Sequence, residues 1–234
     1  MSTPIEVLWR QALKTFTGRG KIGYKFCQKN FEKLHALINN INADDVKVDK
    51  NILDHVENNS APMCVIDVYE NQDITIAIFL LKHGVTLPLH DHPGMNGLLK
   101  VISGTVKIDS YTMTTCLKNM KAGDEVIAQK YPSIIAQKNH PACVLNPNDH
   151  NLHEITCIEG PAAFLDILSP PYKVDVDEHG IADRPCTFFK LLSFEETSTS
   201  SDNDDSSVLV KLKVGQQPHN FYSKSLKYLG PPLS

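Results

Sequence analysis

From Met63 onward the chain is a succession of short segments rich in β-branched and aromatic residues, each closed by a turn signal. The candidate strands are 64–69, 74–81, 98–102, 106–111, 113–117, 125–128, 142–146, 152–158 and 163–167. Ser103-Gly104 and Ala122-Gly123-Asp124 mark turns between them. β-branched side chains fit a pleated surface, and many short strands with regular turns make a sandwich or a barrel. At 234 residues and 41% hydrophobic content the chain can bury a real core as one large domain or a domain with appendages.

The segment before Met63 reads differently. Thr3-Pro4-Ile5-Glu6 has the form of a capping box with proline at the first helical position. Val7, Leu8, Ala12, Leu13 and Phe16 follow a helical stripe that Gly18 and Gly20 end. A second helix is expected over 30–40, with Phe31, Leu34, Leu37 and Ile38 on one face. Residues 1–60 are therefore expected to form a helical flank, and 61–194 the barrel. Residues 195–207 are acidic, serine-rich and nearly free of apolar side chains, the composition of a flexible loop. Residues 208–234 resume an apolar pattern and are expected to return to the barrel as a strand and tail.

Net charge is −4, which gives no general electrostatic reason to bind nucleic acid. No apolar run approaches the ~20 residues of a membrane span. Glu6, Arg10 and Lys14 interrupt any secretory signal pattern, which points to the cytoplasm or the nucleus. The six cysteines are widely spaced and form no CxxC pair, so free thiols are expected and a thiolate zinc site is not.

The chemistry concentrates around Gly84-Val-Thr-Leu-Pro-Leu-His90-Asp-His92. In a strand, side chains two apart share a face, so His90 and His92 can grip one metal ion while Asp91 points away. A third ligand is needed. His153, in Asn151-Leu-His-Glu-Ile-Thr-Cys157, is preferred; His150, in a stretch of loop composition, competes with it. Cys157 shares the face of His153 but lies four residues on, roughly 13 Å along a strand.

Gly84, His90-x-His92 and Gly104 resemble the first cupin motif, with Gly97 where that motif usually carries a glutamate ligand. Pro88-Leu-His-Asp-His-Pro-Gly-Met95, Leu98-Leu-Lys-Val-Ile-Ser-Gly-Thr105 and Gly160-Pro-Ala-Ala-Phe-Leu-Asp-Ile-Leu-Ser-Pro-Pro-Tyr172 resemble the 2-aminoethanethiol (cysteamine) dioxygenase and plant cysteine oxidase family of thiol dioxygenases. The resemblance implies an all-β cupin, a double-stranded β-helix or jelly-roll barrel, with N-terminal flanking helices. It implies Fe(2+) held by His90, His92 and His153, with coordination positions left open for substrate and dioxygen. Zinc would accept the same imidazoles but is not redox-active. The implied product is a sulfinic acid, and the implied substrates are cysteamine or a protein or peptide with N-terminal cysteine, a monomeric enzyme coupling oxygen supply to protein turnover. A free L-cysteine dioxygenase and a non-catalytic metal-binding cupin are the alternatives.

Two further residues carry open readings. Asp166 is a carboxylate inside an apolar strand and needs a partner; it either bonds a backbone group or tyrosine, or orients a ligand histidine or the substrate amine. Tyr172, after Pro170-Pro171, either anchors a loop or lines the site mouth. Arginine bears on the substrate: only Arg10, Arg19 and Arg184 occur, none between Met63 and Pro170. A free amino acid's carboxylate is best held by a guanidinium fork, so its absence suits a substrate without that carboxylate. Lys100 and Lys107 weaken this argument slightly, since lysine can hold a carboxylate as a point charge. Cys186 is expected to be an ordinary buried thiol. Some family members carry a tyrosine two residues after it and can form a Cys–Tyr crosslink, which Phe188 precludes here.

Overall fold

The computed structural model describes residues 2–19, 24–114, 120–176, 182–194 and 208–233. The acidic segment 195–207 lies outside them, as do Gly20 and residues 115–117 of the candidate strand 113–117.

Three helices lead. In α1 (Pro4–Phe16), Thr3 Oγ1 accepts from the Glu6 amide, but Glu6 pairs with Arg10 instead of returning to the cap. Ile5, Leu8, Ala12 and Phe16 are fully buried at helical spacing. They meet Phe31, Leu34 and Ile38 of α2 (Gln28–Ile38). Each such side chain contributes roughly 1.5–3 kcal/mol by leaving water. Gln11 and Thr15 cross between the helices to the Asn30 carbonyl. The third helix, α3 (Lys50–Asn58), is capped by Asp49 and was not foreseen, because its apolar stripe is short.

The remainder is one large sheet closed on itself. Its strands are β1 (Met63–Glu70), β2 (Thr75–Leu81), β3 (Thr86–Asp91), β4 (Asn96–Met113), β5 (Glu125–Lys130), β6 (Ile134–Gln137), β7 (Cys143–Leu145), β8 (Leu152–Ser169), β11 (Phe188–Phe194), β12 (Val208–Gly215) and β13 (Ser223–Leu226). A small separate hairpin pairs β9 (Lys173–Val176) with β10 (Ala182–Arg184). The candidate pairs 98–102/106–111 and 152–158/163–167 prove to be two 18-residue strands, β4 and β8. They pair antiparallel from Asn96↔Ser169 to Tyr111↔Leu152. Ser103-Gly104 is thus a bulge in a continuous strand and not a hairpin turn, with register shifts between Val101 and Val106 and Gly104 at φ +71°. The bulge kinks β4 so that its two halves serve different sheets.

One sheet runs β13-β1-β2-β8-β4-β7, and its outer face packs under the helices through Ile66, Ile76, Ile78, Leu98 and Leu165. The other halves of β4 and β8 continue through β3, β11, β12 and β5 back to β4, closing a ring around Leu89, Tyr111, Val126, Phe189 and Leu212. Between the two sheets lies a second core of Leu87, Leu99, Val106, Ile108, Ile155 and Phe164. This inner face of a jelly-roll barrel carries the chemistry. No described helix is long and apolar enough to cross a membrane.

Candidate metal centre

His90 is the last residue but one of β3, His92 follows the strand, and His153, the second residue of β8, lies directly across from His90 in the ladder. All three are buried, at 7%, 2% and 7% exposure, and their ligand nitrogens lie within 4.8 Å of one another. His92 Nε2 and His153 Nε2 are 3.1 Å apart. Two nitrogens on one ion at ~2.1 Å sit ~3.0–3.4 Å apart, so the spacing suits a shared cation. Asp91 points the other way, as alternation requires, and accepts from the Thr187 amide.

The partners fix the tautomers. His90 Nδ1–H donates to the Pro88 carbonyl, which leaves Nε2 as a lone pair. The Tyr172 hydroxyl donates to the Asp91 carbonyl, so it accepts from His92 Nδ1–H at 2.9 Å. His92 Nε2 is therefore also a lone pair, facing His153. A divalent ion satisfies these lone pairs together; without one, a proton must sit between two imidazoles. Burial and mutual proximity hold the rings neutral: His90 is pushed down to about 4, and His92 and His153 well below the ordinary value. Neutral imidazoles are the ligand form.

Gly97 stands where a cupin glutamate ligand is expected, and it does not leave a void. A Cβ there would lie 2.8 Å from Leu145 and 2.9 Å from Leu168. The apolar pair closes on the position, so the site is built around three neutral donors. Phe188 pairs with His90 across β3 and β11 and adds an apolar wall, its ring 6.1 Å away.

His150 stands apart from the three-histidine group. It bonds Ser110 Oγ through Nδ1 and stacks on Tyr131 at 3.9 Å. A cavity of about 170 Å³ joins it to His153, with Ser110, His140, Cys143 and apolar walls from Leu99, Ile108 and Leu145. A second cavity of about 120 Å³ holds Asp166 and Tyr172 with Ala77 and Phe79. A roomier one of about 550 Å³ contains none of the three histidines and opens beside Glu154 and Phe189, on the far face of β3 and β8.

Four cations are occupied by protein oxygens. Lys100 is buried and donates to the Lys138 and His140 carbonyls, and Lys107 pairs with Asp109. Arg19 reaches from the helical flank to the Gly94 carbonyl and Asn96 Oδ1, gripping the turn that follows His92. Arg184 donates to the Pro171 carbonyl beside Tyr172. Both arginines brace the site from outside the 63–170 stretch, a role that no local motif announces. Cys186 is half-buried and hydrogen-bonds Tyr172; burial pushes its thiol up to about 12, so it is no ready thiolate. The described cysteines are all free.

Tyr172→Phe removes the group that holds His92 Nδ1. It is expected to weaken metal affinity about 10- to 100-fold with little change in fold, read by competition with a chelator of known affinity. Undiminished retention would mean the ring orientation is set by packing alone.

Asp166 carries a pH signature. Burial pushes it up to about 7 from 3.8, so the folded chain keeps a proton that the unfolded chain releases. Its contribution to stability therefore falls as pH rises from about 4 to 7. His90 acts oppositely: neutral when folded down to about 4, it adds stability as pH climbs towards 6.5. Asp166→Asn deletes only the first effect. The metal-free variant should gain most over the parent near pH 8 and least near pH 4 by scanning calorimetry. An equal gain at both would contradict the shift.

The fold and the donors define a cupin with a three-histidine metal centre. A family model described as PCO_ADO matches residues 37–233. The 2-aminoethanethiol dioxygenase of Homo sapiens is 30% identical over all of this chain and 97% of that protein. Plant cysteine oxidase 2 of Arabidopsis thaliana is 25% identical over 98% of this chain and 83% of that protein. Among solved structures, a cupin superfamily protein from Desulfitobacterium hafniense matches 49% of this chain and 81% of its own at 17% identity, with a TM-score of 0.32. The chain belongs to the PCO_ADO family of thiol dioxygenases.

Proposed function

We propose that the chain is an iron(II) thiol dioxygenase converting a thiol that bears a neighbouring amine, either cysteamine or an N-terminal cysteine, to its sulfinic acid. The observation that carries this reading is the convergence of His90, His92 and His153 as neutral imidazoles without a carboxylate donor. The reaction adds both atoms of O₂ to sulfur, RSH + O₂ → RSO₂H. When bound, iron(II) supplies the redox capacity that the side chains lack.

The chain's own residues do the rest. The three histidines are the proposed ligands. Tyr172 holds His92 in its ligand tautomer, and Asp166 presents a carboxyl to the adjoining cavity, suited to a substrate amine. Leu145, Leu168 and Phe188 keep water and competing donors away from the cluster. Lys100, Lys107, Arg19 and Arg184 are all engaged by protein oxygens, which favours a substrate without a free carboxylate over L-cysteine. Oxidation of N-terminal cysteine would couple oxygen supply to protein turnover in the cytoplasm or nucleus, with the enzyme working as a monomer.

An oxygen electrode tests the reading. Iron(II)-loaded protein should consume one O₂ per thiol lost, and zinc-loaded protein none. Equal consumption with zinc, or none with iron on any aminothiol, would overturn it.

A further inference from the structure

The cavity beside His153 is apolar on most sides; besides His140, its polar lining is a corner made by Ser110 and His150. Ser110 lies directly across from His153 in the β4–β8 ladder, so the two side chains share the inner face at ~5 Å between Cβ atoms. Its hydroxyl is buried, and its hydrogen bond goes to His150 Nδ1 at 3.0 Å. Opposite stand Leu99, Ile108, Ile134 and Leu145.

His150 is held there by construction. It is one of two described non-glycine residues at positive φ, at 52°. Its amide donates to Thr112 Oγ1, and its ring stacks on Tyr131. Thr112 and Tyr131 in turn both donate to Asp149 Oδ1, 2.8–3.0 Å away. A left-handed histidine secured by three neighbours is a strained residue that its surroundings over-determine, and such strain collects at functional positions. The pair also has capacity to spare. If Nδ1–H donates, the serine hydroxyl is free to donate onward; if the hydroxyl donates, its oxygen is free to accept.

We infer that Ser110 and His150 recognise the first peptide unit of an N-terminal-cysteine substrate and so bias this site towards peptides over cysteamine. The inference rests on the proposed thiol dioxygenase reading. With thiol and amine directed at the histidines, the only extra group a peptide brings at the same carbon is its C=O–NH unit. Cysteamine has hydrogen there. A cavity of about 170 Å³ takes the first residue and little more, so the rest of a peptide leaves through the mouth. The free serine lone pair or proton meets whichever half of the peptide unit faces it. His150 acts through Ser110, as a positioning residue.

The test is a ratio. For iron(II)-loaded full-length protein, kcat/KM is measured on a Cys-initiated pentapeptide amide and on cysteamine, in the parent, Ser110→Ala and His150→Asn. Asparagine tolerates the left-handed backbone, so the second variant stays folded even if alanine at 110 disturbs the ladder. The peptide-to-cysteamine ratio should fall about three- to tenfold in Ser110→Ala, the value of one hydrogen bond, and by less in His150→Asn. An unchanged ratio in both variants overturns the inference even if absolute rates drop, because a purely structural role lowers both substrates together. A parent enzyme that oxidises neither substrate removes the proposed function itself, and the inference with it.

Discussion

His153→Ala is expected to strip the protein of its metal and its activity together. Metal affinity, read by competition with a chelator, should fall by more than about a hundredfold, since a ligand matters at least as much as the groups that orient it. The fold should survive. His153 is neutral and opposes two other neutral imidazoles, so its removal relieves a crowded apo site and leaves no unpaired charge. The control is His150→Ala, three residues away. His150 faces Ser110 and Tyr131, so its loss should leave bound metal near the parent level. If the two variants exchanged these outcomes, the ligand assignment would be wrong.

Gly104→Ala is expected to be the most destabilising small substitution in the barrel. The residue sits at φ +71° in the β4 bulge, where an L side chain is strained. An added Cβ would also lie 2.6 Å from the Glu159 carbonyl oxygen and 2.8 Å from Ala162 Cα, both backbone atoms of the paired strand. Backbone cannot step aside as a side chain end can, so strain and overlap add to about 3 kcal/mol. For a chain of this length that lowers Tm by roughly 6–12 °C. Gly84→Ala separates the two effects. It has a similar φ, +74°, but open space around the missing Cβ, so about 1 kcal/mol is expected. Equal losses at the two glycines in calorimetry would contradict the account of the bulge.

The same bulge shows where sequence reading stops. The alternation that puts His90 and His92 on one face and Asp91 on the other is local, and it holds in β3. The β-branched runs that mark β1, β2, β5 and the halves of β4 and β8 are local too. Gly104 reads as a turn because glycine's freedom serves a hairpin and a bulge equally; only the partner strand decides between them. The strands β11 and β13 carry little alternation of their own, and they are strands because an edge awaits them. The bracing of the site was hidden for the same reason. Arg19 comes from the helical flank, 77 residues before Asn96, whose side-chain Oδ1 it grips, and nothing near either announces the contact. The pairing of Tyr172 with His92 spans 80 residues. Gly97 was legible as a missing ligand, whereas its closure by Leu145 and Leu168 was not.

The most direct measurement is mass spectrometry of an N-terminal-cysteine peptide and of cysteamine after aerobic incubation with iron(II)-loaded protein. The account predicts a gain of two oxygen atoms on the sulfur of at least one of them, lost on chelation and in His153→Ala. Thiols recovered unchanged from a protein with iron demonstrably bound would contradict it.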